Sequence, residues 1–255
     1  MVITNRKGQK IAIILEMAEP QKGLAFVMHG LGGFKEQPHI QMFADTFRES
    51  GFTVVRFDTT NTFGESDGNY ENATITSYYE DLEDVIKWSR TQPWYQEPFV
   101  LAGHSLGGIC TALYAERHPE EVLALAPIST VVSGKLSLET NERLRPDELK
   151  KWKETGWRET PSKSKPGLIK RLPWSHMEDR LKYDLLPEAS KLTMPVLLIV
   201  GDADEHCTDN RILFEALPGP KEMHVIKGAP HTFKDPEHLE EIRNILLKWV
   251  GSFAK

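Results

Sequence analysis

The sequence predicts an α/β fold, an eight-stranded, mostly parallel sheet flanked by helices, with one inserted segment. Three observations carry that expectation. Short continuous apolar runs recur along the chain, each bounded by Gly, Pro or charge, as strands buried on both faces require. Stretches with helical spacing separate these runs. One region, 131–190, breaks the alternation.

The first elements form a pair. Val2 to Thr4 and Ile11 to Leu15 alternate loosely between apolar and polar residues around the turn-prone Asn5-Arg6-Lys7-Gly8, the pattern of an opening hairpin. The runs Leu24–Met28, Thr53–Phe57, Phe99–Ala102, Val122–Ala126, Val196–Val200 and Met223–Ile226 then read as buried strands. Between them, Glu36 to Ser50 reads as a helix stopped by Gly51 at its C′ position. Thr74 to Arg90 gathers Ile75, Tyr78, Tyr79, Leu82, Val85, Ile86 and Trp88 mostly on one side. Leu106 to His118 halts before Pro119, and Pro236 to Phe253 closes the chain.

From 131 to 190 no buried strand is legible. The stretch is charged, with helical patches over Arg145–Trp157 and Ser175–Leu186 and with Pro161, Pro166 and Pro173 between them. A structureless loop of about 60 residues is implausible inside a compact domain. The economical reading is a helical cap at 131–190 inserted between the sixth and seventh strands, with 1–130 and 191–255 forming the core.

Bulk properties narrow the function. A net charge of −6 argues against nucleic acid or an anionic membrane surface as the main partner. The early apolar run Ile11–Leu15 is too short for a signal-peptide core or a membrane span, so a cytoplasmic protein without stable membrane insertion is expected. Cys110 and Cys207 form neither a metal cluster nor a disulfide framework and read as reduced thiols.

The chemistry concentrates in Gly103-His104-Ser105-Leu106-Gly107, a G-x-S-x-G elbow between the strand Phe99–Ala102 and a helix beginning at Leu106. Glycines remove the side chains that would collide in so sharp a turn, and the turn tips the Ser105 hydroxyl into the open. Serine is inert at its own pKa and needs a base. Of nine histidines, His231 stands in the loop after the last strand, where the order nucleophile, acid, histidine places the base. The acid then falls in Gly201-Asp202-Ala203-Asp204-Glu205. Asp202 follows the strand directly and suits a turn-stiffening role. Asp204 reaches further into the loop and is favoured as the acid. The tetrahedral oxyanion needs backbone donors, for which the amide of Leu106 and that of Leu31, within His29-Gly30-Leu31-Gly32-Gly33, are the candidates.

Taken with Asp58-Thr59-Thr60-Asn61-Thr62-Phe63-Gly64-Glu65-Ser66, these motifs resemble the α/β-hydrolase superfamily, and most of all its small serine esterases: carboxylesterases, cinnamoyl esterases and monoacylglycerol lipases. Some members carry the acid after the sixth strand, but here that position reads Pro127-Ile128-Ser129-Thr130, without a carboxylate. The resemblance implies ester hydrolysis by a Ser105–His231–Asp204 triad, with no metal and no organic cofactor. Short to medium acyl or aromatic acyl esters are the expected small-molecule substrates, and a monomer or homodimer the expected state. An acyl thioesterase, a serine peptidase or a C–C bond hydrolase could share every catalytic residue. Trp152, Trp157, Trp174 and Met177 of the cap are candidates for an apolar lid over the acyl group, or for packing the cap onto the core.

Overall fold

The computed structural model describes residues 1–162 and 165–254; positions 163–164, within the inserted segment, and 255 lie outside the described residues. The chain opens with β1 (Val2–Thr4), β2 (Lys10–Glu16) and β3 (Gly23–Met28), then α1 (Pro38–Glu49), β4 (Phe52–Phe57) and α2 (Ile75–Ser89). β5 (Phe99–His104), α3 (Leu106–Arg117) and β6 (Val122–Ile128) follow. The inserted segment supplies α4 (Gly134–Leu144), α5 (Pro146–Thr155), β7 (Trp157–Pro161), β8 (Ile169–Pro173) and α6 (Ser175–Arg180). The core resumes with β9 (Val196–Gly201), α7 (Cys207–Ala216), β10 (Lys221–Ile226) and α8 (Pro236–Val250).

Eight strands form one sheet in the order β1-β2-β4-β3-β5-β6-β9-β10. The opening hairpin pairs antiparallel and joins β4 antiparallel, with Ile13 opposite Phe57. Every pairing from β4 to β10 is parallel. Side chains alternate across a strand, so neighbouring residues of β3 enter different cores. Leu24, Phe26 and Met28 pack with Tyr78 and Leu82 of α2 and Ile109 of α3. Ala25 and Val27 pack with Phe43 and Phe47 of α1 and Leu246 of α8. This two-sided burial explains the continuous apolar runs. β10 closes one edge of the sheet and is only partly buried, in keeping with its polar residues Lys221, Glu222 and His224.

The inserted segment differs from the expected all-helical cap. Two helices lie near the expected patches, at Pro146–Thr155 and, shorter than expected, at Ser175–Arg180. Between them β7 and β8 form an antiparallel hairpin separate from the main sheet, Arg158 opposite Leu172 and Glu159 opposite Arg171. Its strands carry charged residues on a largely solvent-facing surface, so no apolar run announces them. The helices α4 and α7 were likewise not expected: the first has few buried apolar positions, and the second is short. The cap docks through an apolar cluster with Tyr70 and through polar contacts. The Thr76 amide and hydroxyl donate to Asp179 at 3.1 and 2.5 Å, and His176 Nδ1 bonds the Ala73 carbonyl at 2.7 Å. No helix among the described residues is long and apolar enough to cross a membrane.

Candidate active site

The elbow at the end of β5 is a strained turn. Ser105 adopts φ 56° and ψ −113°, a conformation costing a non-glycine residue about 1–3 kcal/mol. The surroundings over-determine it. Its amide donates to the Ile128 carbonyl at 3.0 Å, and its carbonyl accepts from Gly108 at 3.0 Å and Val131 at 3.2 Å. A Cβ at Gly103 would stand 2.4 Å from the Gly107 carbonyl oxygen, and one at Gly107 would stand 2.5 Å from that of His29. Only glycine admits so close a crossing of β5, α3 and the loop after β3.

Ser105 Oγ lies 2.9 Å from His231 Nε2, and His231 Nδ1 lies 2.9 Å from Asp204 Oδ2. A carboxylate can only accept, so Nδ1 carries the proton and Nε2 is left to accept from the serine hydroxyl. Asp204 is 5% exposed, and its other oxygen accepts from the His206 amide at 3.0 Å. Burial alone would raise its pKa, but the bonds to His231 and His206 outweigh that and hold it at about 2. Asp202 is exposed and accepts from the Gly228 amide at 2.6 Å, which ties the loop after β9 to the loop carrying His231. The structure thus gathers Ser105, His231 and Asp204 into one relay and leaves Asp202 outside it.

The loop after β3 is braced from below. His29 Nδ1 donates to the Gly30 carbonyl at 2.8 Å, while its Nε2 accepts from the Thr59 amide at 3.1 Å. Burial depresses the pKa of His29, in keeping with this neutral donor-acceptor pattern. Asp58 accepts from the Lys35 amide at 2.7 Å, the Lys35 ammonium at 2.9 Å and the Glu65 amide at 2.7 Å. Gly30 lies against the nucleophile: a Cβ there would stand 2.9 Å from that of Ser105. Among the described residues the amides of Leu31 and Leu106 have no hydrogen-bond acceptor. The first lies in this loop, and the second is at the α3 N-terminus, where helical amides are unpaired.

Two histidines stand beside the relay: His104, which the sequence places in the elbow as a residue shaping the turn, and His39, which no motif marks. His104 Nε2 donates to the His231 carbonyl at 2.8 Å, and the two rings lie 5.0 Å apart. Burial, with His39 and His231 adding to it, holds the His104 pKa far below its ordinary value. His39 stacks edge-on against His104 at 4.6 Å and is likewise neutral, burial lowering its pKa to about 3. Inside the elbow motif His104 reads as a shape-filling residue, and its bond spans 127 residues of sequence, so no local pattern announces it.

The relay opens into a cleft of about 940 Å³ whose mouth carries Arg143, Arg145, Lys170, Asp202, Glu205 and Lys234. Arg145 of the cap pairs with Glu205 of the acid loop, clasping cap to core. The four apolar cap candidates are not among the side chains lining this cleft. Trp152 is 1% exposed, donates to the Leu172 carbonyl at 3.0 Å and meets Trp174 edge-on at 5.2 Å. Met177, also 1% exposed, joins the same cluster with Tyr70, Leu149 and Leu172. Trp157 is 37% exposed beneath the Arg171 guanidinium on the outer hairpin. Trp152, Trp174 and Met177 thus pack the cap rather than line the cleft. Cys110 and Cys207 are both free thiols.

Residues 19–170 match the family described as serine aminopeptidase, S33. The mouse mitochondrial palmitoyl-protein thioesterase ABHD10 is 32% identical over 157 residues, which are 61% of this chain and 50% of that protein. The chain therefore spans about half the length of that relative. Among solved structures, Est1E of Butyrivibrio proteoclasticus with bound ferulic acid superposes with a TM-score of 0.81 at 22% identity, covering 99% of this chain and 98% of that one. The mouse α/β-hydrolase domain-containing protein 10 superposes with a TM-score of 0.80 at 20% identity, covering 99% and 98%. At such identities the structural likeness shows the fold.

Proposed function

The chain belongs to the serine aminopeptidase S33 family of α/β-hydrolases, and we propose that it is a serine carboxylic-ester hydrolase working by ping-pong acyl transfer through Ser105. The observation that carries this reading is the relay of two 2.9 Å contacts, Ser105 to His231 to Asp204, at the floor of an open cleft. His231 takes the hydroxyl proton as Ser105 attacks the substrate carbonyl. The buried Asp204 carboxylate stabilises the imidazolium and fixes its tautomer. The amides of Leu31 and Leu106 receive the developing oxyanion, a contribution commonly worth about 3 kcal/mol per donor. His231 then returns the proton to the leaving alcohol, and a water activated by the same imidazole releases the acid.

Short to medium acyl or aromatic acyl esters are the substrates proposed. Est1E, the fold neighbour with bound ferulic acid, supports an aromatic acyl group, and the cleft has room for one. A second reading, thioester hydrolysis, is favoured by the 32% identity to a palmitoyl-protein thioesterase. Turnover of p-nitrophenyl and cinnamoyl esters, measured beside a palmitoyl thioester and an aminoacyl anilide, tests both. Ester turnover at rates well above the other two supports the reading. Activity confined to the thioester or the anilide overturns it.

A further inference from the structure

The mouth of the cleft runs against the charge of the chain, which is −6 overall. Four cationic side chains line it: Arg143 from the last turn of α4, Arg145 at the junction of α4 and α5, Lys170 from β8 and Lys234 from the loop after β10. Three carboxylates share the lining, and two of them are committed. Asp204 is bonded to His231, and Glu205 is paired with Arg145. The third, Asp202, accepts from the Gly228 amide. Arg143 is exposed and has no carboxylate within ion-pair distance among the described residues, although its neighbours Lys135, Arg145 and Lys153 all do. The balance at the mouth is therefore positive.

Two of these cations stand on the elements that hold the base and the acid. Lys234 follows His231 in the same loop, between β10 and α8. Arg143 is carried by the end of α4, which the Arg145–Glu205 pair fixes beside Asp204 in the acid loop. Both therefore reach the cleft on the side formed by the His231 and Asp204 loops. In a serine hydrolase the histidine hands its proton to the leaving group, so the leaving alcohol departs along that side. The low-dielectric walls of a cleft focus the field of charges at its mouth and raise the local concentration of an oppositely charged substrate.

We propose that Arg143 and Lys234 form a cationic rim on the His231 side of the cleft, which selects esters whose leaving alcohol carries an anionic group. This rests on the reading of Ser105 as the nucleophile of an ester hydrolase. The rim acts on an exposed part of the substrate, so its effect is moderate and is screened by salt. Matched probes place the charge on one side of the scissile bond or the other. For the leaving alcohol the pair is 4-carboxyphenyl butanoate against 4-carbamoylphenyl butanoate. For the acyl chain it is mono-4-nitrophenyl adipate against 4-nitrophenyl 5-carbamoylpentanoate.

The test compares kcat/KM for the charged and neutral member of each pair within one protein, so that any general loss in a variant cancels. At low ionic strength the wild type is expected to favour the 4-carboxyphenyl ester by about fivefold or more, less so as salt rises, with a smaller ratio for the acyl pair. Arg143→Gln and Lys234→Gln should each lower the leaving-group ratio by about twofold. The double variant Arg143→Glu/Lys234→Glu should reverse the preference, and Arg143→Lys should keep most of it. Equal rates within both pairs overturn the inference and leave the esterase reading intact. A larger ratio for the adipate pair overturns the assignment to the leaving alcohol. A leaving-group preference that survives in the double Glu variant overturns the assignment to these two residues. Absence of wild-type turnover on all four esters overturns the esterase reading and this inference with it.

Discussion

The loops at the carboxyl ends of the strands and the cap above them are held in different ways. Ser105 sits in a backbone conformation fixed by four crossing main-chain segments, and Asp58 alone anchors the neighbouring loop by three short bonds. The cap is held by side chains: the aromatic cluster around Trp152, the Thr76–Asp179 bonds and the Arg145–Glu205 pair. A site fixed through its backbone tolerates little change in sequence. A cap held through side chains can be repacked residue by residue. The Ser105 turn is therefore held in one geometry, while the cap surface over the cleft is free to diverge.

Removing the nucleophile should break this contrast most completely. Ser105→Ala is expected to lower kcat on p-nitrophenyl esters by about 10⁴-fold or more, with an unchanged melting temperature or a raised one, because the strained turn loses no packing partner. Asp204→Asn should cost on the order of 10³–10⁴-fold, since an amide favours the wrong tautomer of His231. Asp202→Asn should cost no more than a few-fold, and the reverse ranking would reassign the acid. His104→Ala, which frees the His231 carbonyl, should lower kcat by about 10- to 100-fold with little change in KM. A KM effect alone would make His104 a substrate contact.

A smaller effect concerns stability. Burial first, then the nearby Glu188, raises the Glu116 pKa to about 8 from 4.5. The unfolded chain therefore loses this proton before the folded one does, and stability falls as pH rises from about 4.5 to about 8. Glu116→Gln removes that penalty. Urea unfolding should find the variant more stable near pH 8, by on the order of a few kcal/mol at most, with no advantage below pH 4. Asp204 works in the opposite sense: its depressed pKa contributes stability above 3.8 that is lost as pH falls toward about 2. Trp157→Ala, on the exposed hairpin, should change kcat/KM less than twofold and stability by about 0.5 kcal/mol.

The same division sets what the sequence makes legible. Strands buried on both faces require continuous apolar runs, so the central strands are legible from Leu24–Met28 and its successors, while the opening hairpin is legible from its alternation and turn. Ser105, His231 and Asp204 stand at the ends of such strands, where the order of elements assigns each a place. The hairpin β7–β8 could not be read, because its charged strands pair with each other and bury little. Trp152 and Trp174 read either as lid residues or as residues packing the cap onto the core, because composition does not say which way a ring turns. Both rings pack in a cluster that joins Leu149, Leu172 and Met177 of the cap to Tyr70 of the core. The bond from His104 to the His231 carbonyl spans 127 residues and carries no local signal.

Labelling with a fluorophosphonate, followed by peptide mass spectrometry, tests the assignment of Ser105 most directly. The expected result is one equivalent of adduct on the Ser105 peptide, with parallel loss of esterase activity and no labelling of Ser105→Ala. Full activity in the unlabelled Ser105→Ala variant, or inactivation with the adduct on another residue, would contradict it.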